Sequence, residues 1–193
     1  GLISPMFSAS PVYFLTRTFF KDISKQCDLI FFNRGTKSDW ASEEFKKIAA
    51  NWLDVFYTDP VALAHKIYDE EIDVLYDLGG WMDPLALKAL SLKPARQQLK
   101  WVGGQSVTTG LNCFDGWIGD SWHTPYEFQY LYTEPLLNKG DDYVTYISPT
   151  YMPKPLDEKI DTYAIFANPA KLSRSFLMQL RSISGKKCFI HNK

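Results

Sequence analysis

The sequence predicts an α/β domain: a Rossmann-like, mostly parallel sheet with helices on both faces. Three observations predict it. Short apolar runs rich in β-branched and aromatic residues alternate with segments of helical period, which is the pattern of consecutive βα units. Ser10-Pro11, Asp59-Pro60 and Asp83-Pro84 stand where such units need strand-to-helix turns, each offering an N-capping residue ahead of a proline at the first helical position. With 46% hydrophobic and 16% aromatic residues over 193 positions, the chain carries enough apolar surface to offset the entropy of ordering one large core.

In order, the strand-like runs are Leu2–Phe7, Asp28–Phe32, Leu53–Tyr57, Ile72–Tyr76, Gln98–Val102, Trp117–Ile118 and Tyr143–Ile147. Between them, Val12, Leu15, Phe19 and Ile23 form one apolar helical stripe. Ala41, Phe45, Ile48, Ala49 and Trp52 form another. Right-handed crossovers would gather the strand carboxyl ends and their loops along one edge, where a ligand site belongs. Residues 148–155 hold three prolines and read as an extended linker. The expected division is therefore residues 1–153 as one lobe and residues 154–193 as the start of a second. There, Thr162–Ala167 reads as a strand, Leu172, Phe176, Leu180 and Ile183 as a helical stripe, and Cys188–His191 as a further strand. About 40 residues cannot bury a core alone, so this part is expected to pack on other sequence or on another copy of the chain.

Composition narrows the function. With 21 basic and 22 acidic residues, no overall field draws the chain to nucleic acid or anionic lipid. Its three cysteines, Cys27, Cys113 and Cys188, have neither CxxC nor zinc-ligand spacing, which fits a reducing compartment and no metal site. No run approaches the roughly 20 apolar residues of a membrane span. The chain is expected to be cytoplasmic, and its opening without methionine suggests an excised piece of something longer.

From Ile72 the sequence reads IDVLYDLGGWMDPLALKALSLKPARQQLKWVGGQSVTTGLNCFDGWIGD, followed later by YISPTYMP. This resembles the O-GlcNAc transferase and SPINDLY family and the related bacterial adhesin N-glucosyltransferases. Their first catalytic lobe has D-(I/V)-L-x-(D/N)-x-x-G, then L-(R/K)-P-A-P-x-Q, then W-x-G-x-P-x-(S/T)-(S/T)-G, a D-Y run and Y-M-P. GLISPMFSASP at the start is similar to that family's G-x-(I/V)-S-x-D-F-x-x-H-P, and Ile165–Leu180 to the opening of its second lobe. The resemblance implies a GT-B architecture, two Rossmann-like lobes facing across a cleft, with no tightly bound cofactor. A nucleotide sugar, a UDP-sugar by the commonest family usage, lies between the lobes, and a protein acceptor enters from outside. It further implies that most nucleotide contacts, including a lysine near the diphosphate, belong to the second lobe, so that this chain alone should not turn over. Met6 and Ser10 stand where the family carries an aspartate and a histidine. Neither can relay a proton at neutral pH, which leaves a non-catalytic, protein-binding or stabilising lobe as the alternative.

The residues themselves nominate one edge. Val102, Gly103, Gly104, Gln105, Ser106, Thr108 and Thr109 combine glycines with hydroxyls after a strand, a composition suited to a sugar or phosphate and equally to a tight turn. By the resemblance Val102 and Gly103 face the donor sugar, although the family's proline is missing near Gln105. Gly79 and Gly80 form a second such turn, flanked by Asp77 and Asp83, whose carboxylates suit either a sugar hydroxyl or a helix cap. Ser10 lines the same cleft or caps its helix. Asp120 and His123 are the one carboxylate–histidine neighbourhood at a strand end, placed for proton transfer or for an ordinary surface loop. His65 is expected to be partly buried on a helix. Tyr126, Phe128, Tyr130 and Tyr132 alternate, for stacking or for the core. Lys93, Arg96 and Lys100 offer charge to phosphate or belong to a solvated face.

Overall fold

The computed structural model describes residues 1–103, 107–138, 140, 142–149, 151–155, 157–158 and 161–191. It divides into two compact units, Gly1–Pro149 and Thr150–Lys193.

The first unit is built on β1 (Leu2–Ser4), α1 (Pro11–Ile23), β2 (Ile30–Asn33), α2 (Trp40–Lys46), β3 (Asn51–Asp54), α3 (Pro60–Asp69), β4 (Val74–Asp77), α4 (Pro84–Leu90), β5 (Gln97–Lys100), β6 (Gly116–Gly119) and β7 (Leu136–Asn138). The seven strands make one sheet in the order β3-β2-β1-β4-β5-β6-β7, with every pair parallel. Alternation assigns the faces. Leu2 and Phe31 point to the layer holding Tyr13, Phe20 and Phe45 from α1 and α2, whereas Ile3 and Phe32 point to the layer holding Leu63, Ile67, Leu87 and Leu90 from α3 and α4. Both faces are therefore covered, as all-parallel sheets require. Burying a side chain such as Phe31 contributes about 1.5–3 kcal/mol.

Helix starts follow the sequence, with one exception. Asp59 accepts from the backbone N–H groups of Val61 and Ala62, and Asp83 from that of Ala86. Ser10 occupies the N-cap position of α1 without capping it. Its hydroxyl instead donates back to the Met6 carbonyl at 2.9 Å.

Five expectations are corrected. The second helical stripe is cut short, because α2 ends at Lys46 and Trp52 belongs to β3. The buried stripe of α1 is Val12, Tyr13, Thr16 and Phe20, so the helix is rotated from the Leu15–Phe19–Ile23 register, and Phe19 is 41% exposed. The seventh strand is Leu136–Asn138. The segment around Tyr143 packs on the sheet face instead, where the Trp101 indole donates to the Tyr143 carbonyl at 2.9 Å. Tyr126–Leu131 is a 3₁₀ segment, which turns Tyr126, Phe128 and Tyr130 to solvent and leaves Tyr132 edge-on to Trp117. His65 is exposed on α3.

The second unit holds β8 (Thr162–Phe166), α5 (Arg174–Ser182) and β9 (Lys186–Ile190). Its two strands pair in parallel, a single βαβ crossover. Ser173 caps α5 by accepting from the Phe176 N–H.

Candidate functional site

In this strand order the chain leaves β1 toward β2 on one side and reaches β4 on the other, so the β1/β4 junction is the topological switch point. Ligands of open parallel sheets bind there, outside the carboxyl ends. The loops at that edge touch. A side chain on Gly79 would meet Pro5 Cδ at 2.9 Å, and one on Gly103 would meet the Leu78 carbonyl oxygen at 2.0 Å. The Trp81 indole reaches across to donate to the Thr108 carbonyl at 3.0 Å. Gly79, Gly80, Asp83, Val102, Gly103 and Thr108 are thus brought to one edge. Gly104, Gln105 and Ser106 lie outside the described residues.

Three buried charged side chains shape this edge from below. Asp77, at the end of β4, accepts from the Gly79 N–H at 2.9 Å and the Gly80 N–H at 3.0 Å, which fixes the turn that carries Gly80 at φ 53°. Glu134 accepts from the Thr108 hydroxyl at 2.7 Å, the Thr109 N–H at 2.8 Å and the Thr109 hydroxyl. Lys100, at the end of β5, is wholly buried and donates to the carbonyls of Val102 and Gly103. The Asp77 carboxylate is committed to backbone N–H groups, and the Glu134 carboxylate to the two threonine hydroxyls and the Thr109 N–H. Gly79, Gly80, Val102 and Thr109 are buried and Gly103 is half-buried, while the Trp81 and Met82 side chains of the same turn are exposed, so side chains as well as main chain form the outward face of this edge.

Asp83 divides itself between two structural tasks. Besides capping α4, its carboxylate receives the Arg34 guanidinium at 2.7 Å and 3.4 Å. Arg34 also donates to the carbonyls of Val55 and Thr58. Ser10 is 6% exposed, its hydroxyl occupied by Met6.

Asp120 and His123 follow β6, two strands beyond β4, roughly 10 Å along the sheet at ordinary strand spacing. Asp120 accepts from the N–H groups of Trp122, His123 and Tyr143. Burial alone would raise its pKa, but those donors outweigh it and hold the carboxyl below the usual range. The His123 ring stacks on Tyr143, centroids 4.6 Å apart. Burial pushes its pKa below 6.5, and the Asp120 charge offsets this only in part. His123 is accordingly expected to be neutral at pH 7, with an imidazole NMR titration midpoint below 6.5. A midpoint of 7 or above would contradict the packing described. Because the folded value lies under the unfolded one, protons favour the unfolded chain in that window, and stability falls as pH drops from about 6.5 through the folded midpoint.

Sequence reasoning passed over Arg34 and Glu134 and left Lys100, with Lys93 and Arg96, between attracting phosphate and a solvated face, whereas it is buried. Of the other two, Lys93 pairs with Asp115 and Arg96 with Asp73 near the surface. One signal was present: a lysine ending a strand buried on both faces has no solvated face to occupy. Among the described residues, no group of three or more His, Cys, Asp or Glu side chains could hold a metal ion, and no helix is long and apolar enough to cross a membrane. A cavity of about 400 Å³, whose lining includes Leu15, Phe19, Tyr76, Trp101, Ile118 and Tyr143, lies on the α1 face of the sheet.

A doubly wound parallel sheet with closely packed glycine turns beside its switch point defines a Rossmann-like lobe. Comparison with known proteins narrows this class. The chain is 26% identical over 187 residues to the Arabidopsis thaliana protein named probable UDP-N-acetylglucosamine–peptide N-acetylglucosaminyltransferase SPINDLY, covering 92% of this chain and 20% of that one. It is 24% identical to the protein of the same name from Petunia hybrida, with the same coverage. In structure it matches a K341M mutant of the Thermobaculum terrenum O-GlcNAc transferase with a TM-score of 0.77 and 23% identity, over 86% of this chain and 32% of that one. No family model matches. In sequence the chain is thus similar to the SPINDLY proteins, of whose length it spans about a fifth, and in fold to an O-GlcNAc transferase.

Proposed function

We propose that residues 1–149 form the first Rossmann-like lobe of a GT-B protein glycosyltransferase, and residues 150–193 the opening of the second. The complete protein transfers a sugar from a nucleotide donor, a UDP-sugar, to a Ser, Thr or Asn side chain of a protein acceptor in the cytoplasm. The observation that carries this reading is the pair of touching turns, 79–80 and 102–103, at the switch point of a SPINDLY-like sheet. Gly103, half-buried at this edge, brings main chain close to where a hydroxyl or phosphate of a nucleotide sugar would lie, and transfer requires the leaving diphosphate's charge to be stabilised and the acceptor held in line. Met6 and Ser10 offer no group for proton transfer at the β1 edge, and the resemblance assigns most nucleotide contacts to the second lobe, so this chain alone is expected to bind donor weakly and to transfer nothing.

The test is incubation of the full-length protein with several UDP-sugars and protein acceptors, followed by intact-mass analysis. The expected result is acceptor mass gained by one sugar. A specific observation favours a second reading: at the positions where the family has an aspartate and a histidine stand Met6 and a Ser10 whose hydroxyl is buried against the Met6 carbonyl. Absence of both transfer and donor hydrolysis with every UDP-sugar tried would establish that reading, a lobe kept for binding or stabilising a protein partner.

A further inference from the structure

We propose that Lys100 is a positioning residue of the carboxyl edge: its ammonium, sealed beneath the two turns, gathers the carbonyls of Val102 and Gly103 and so fixes the backbone that meets the donor sugar. The inference rests on the reading above for its ligand, but not for its geometry.

The Lys100 side chain is fully buried. Its Nζ reaches the Gly103 carbonyl at 2.6 Å, those of Asp77 and Trp101 at 3.4 Å, and that of Val102. It also lies 5.2 Å from the centroid of the Trp117 ring. Packing does not explain it, because an apolar side chain of the same length would fill the space without the several kcal/mol that burying an ammonium costs. Charge pairing does not explain it either. The charged groups facing it are Asp77 from β4 and Glu134 from the segment before β7, and each spends its oxygens on backbone and threonine donors. Burial pushes the Lys100 pKa below the ordinary lysine range, an effect those two carboxylates partly offset.

The bonds to carbonyls explain what is otherwise anomalous in this loop. Val102 sits at φ 43° and Gly103 at φ 50°. A β-branched residue in the left-handed region costs about 1–3 kcal/mol and persists only where its surroundings over-determine it. Lys100 supplies that determination by drawing two successive carbonyls inward. Across a trans peptide the N–H points opposite to the carbonyl, and no cis bond occurs among the described residues. Holding the Val102 carbonyl therefore turns the Gly103 N–H away from the ammonium. Gly80 completes the unit, since a side chain there would meet Lys100 Cε at 2.7 Å and the Gly103 carbonyl oxygen at 3.2 Å.

The test uses the full-length protein and hydrogen exchange read by mass spectrometry. Lys100→Met keeps the length of the stem and removes the charge. It is expected to speed exchange in the peptide containing Val102 and Gly103 by about tenfold while peptides from α1 and β2 stay at wild-type rates, and Lys100→Arg is expected to restore part of the protection. Equal exchange in Lys100→Met and wild type overturns the proposal whatever the activity does. If Lys100→Met does not fold, the wild type decides: protection of that peptide, corrected for intrinsic rate, should fall with rising pH as the ammonium is lost, and flat protection overturns the proposal. In turnover, Lys100→Met is expected to raise the donor KM by roughly tenfold with kcat changed far less. An unchanged KM reduces Lys100 to a structural residue and overturns the positioning role. A wild type that transfers no sugar refutes the transferase reading instead and leaves the exchange result standing.

Discussion

Arg34→Ala is expected to destabilise the first unit by about 3–5 kcal/mol, the range found when one partner of a buried ion pair is removed and the other is left uncompensated. The guanidinium is 3% exposed and Asp83 11% exposed, and they approach to 2.7 Å. Arg34 follows β2, Asp83 follows β4, and β1 lies between those strands, so the pair spans the end of β1. Its remaining donors satisfy the Val55 and Thr58 carbonyls in the loop from β3 to α3. Truncation would leave those carbonyls and the Asp83 carboxylate short of donors at once. Asp83 would still cap α4 through the Ala86 N–H. Thermal unfolding should show a fall in Tm of roughly 10 °C or more for a unit of this size. Asp83→Ala in the Arg34→Ala background should cost much less than Asp83→Ala alone, because coupled partners are not additive. A loss under about 1 kcal/mol for Arg34→Ala would show that water replaces the pair without penalty.

That brace also shows where the sequence is legible and where it is not. Local features read through directly. Leu2 and Ile3, or Phe31 and Phe32, are both apolar because a parallel sheet has two covered faces, and Asp59-Pro60 and Asp83-Pro84 mark helix starts in the chemistry of a few neighbouring residues. The adjacency of the 79–80 and 102–103 turns followed from strand order alone. What did not read through depends on partners distant in the chain. The acceptors of Arg34 are 21, 24 and 49 residues away, and Glu134 meets its threonines across 25 or 26. Nothing local separates such a charge from a solvated one. Ser10 failed for a nearer reason. Its hydroxyl had two partners within reach, the amides of α1 and the Met6 carbonyl, and the turn before Pro11 favours the second. The aromatic run from Tyr126 alternates like a strand, yet a 3₁₀ segment closed by Gln129, whose side chain donates to the Glu134 carbonyl and accepts from the Leu136 N–H, places most of it in solvent.

Gly103→Ala should separate a fold effect from a site effect at the switch point. Gly103 holds φ 50°, where an alanine costs about 1–2 kcal/mol relative to a right-handed residue. Its new Cβ would stand 2.0 Å from the Leu78 carbonyl oxygen and 2.7 Å from the Leu78 carbonyl carbon, so backbone, not a flexible side-chain end, must move. Together these predict a loss of roughly 2–4 kcal/mol, in the range of mutations that combine backbone strain with a steric conflict. Gly110 is the internal control. It also has a left-handed φ, 72°, but a side chain there would meet nothing within 4 Å. Gly110→Ala should therefore cost only the conformational part, and the difference between the two variants in chemical denaturation isolates the contact between the turns. In the full-length protein the same difference should appear in donor binding, since only Gly103→Ala forces the 78–80 and 102–103 turns apart. Equal losses for the two alanines would mean that the turns do not touch in solution, and the case for a shared edge at β4 and β5 would fall with them.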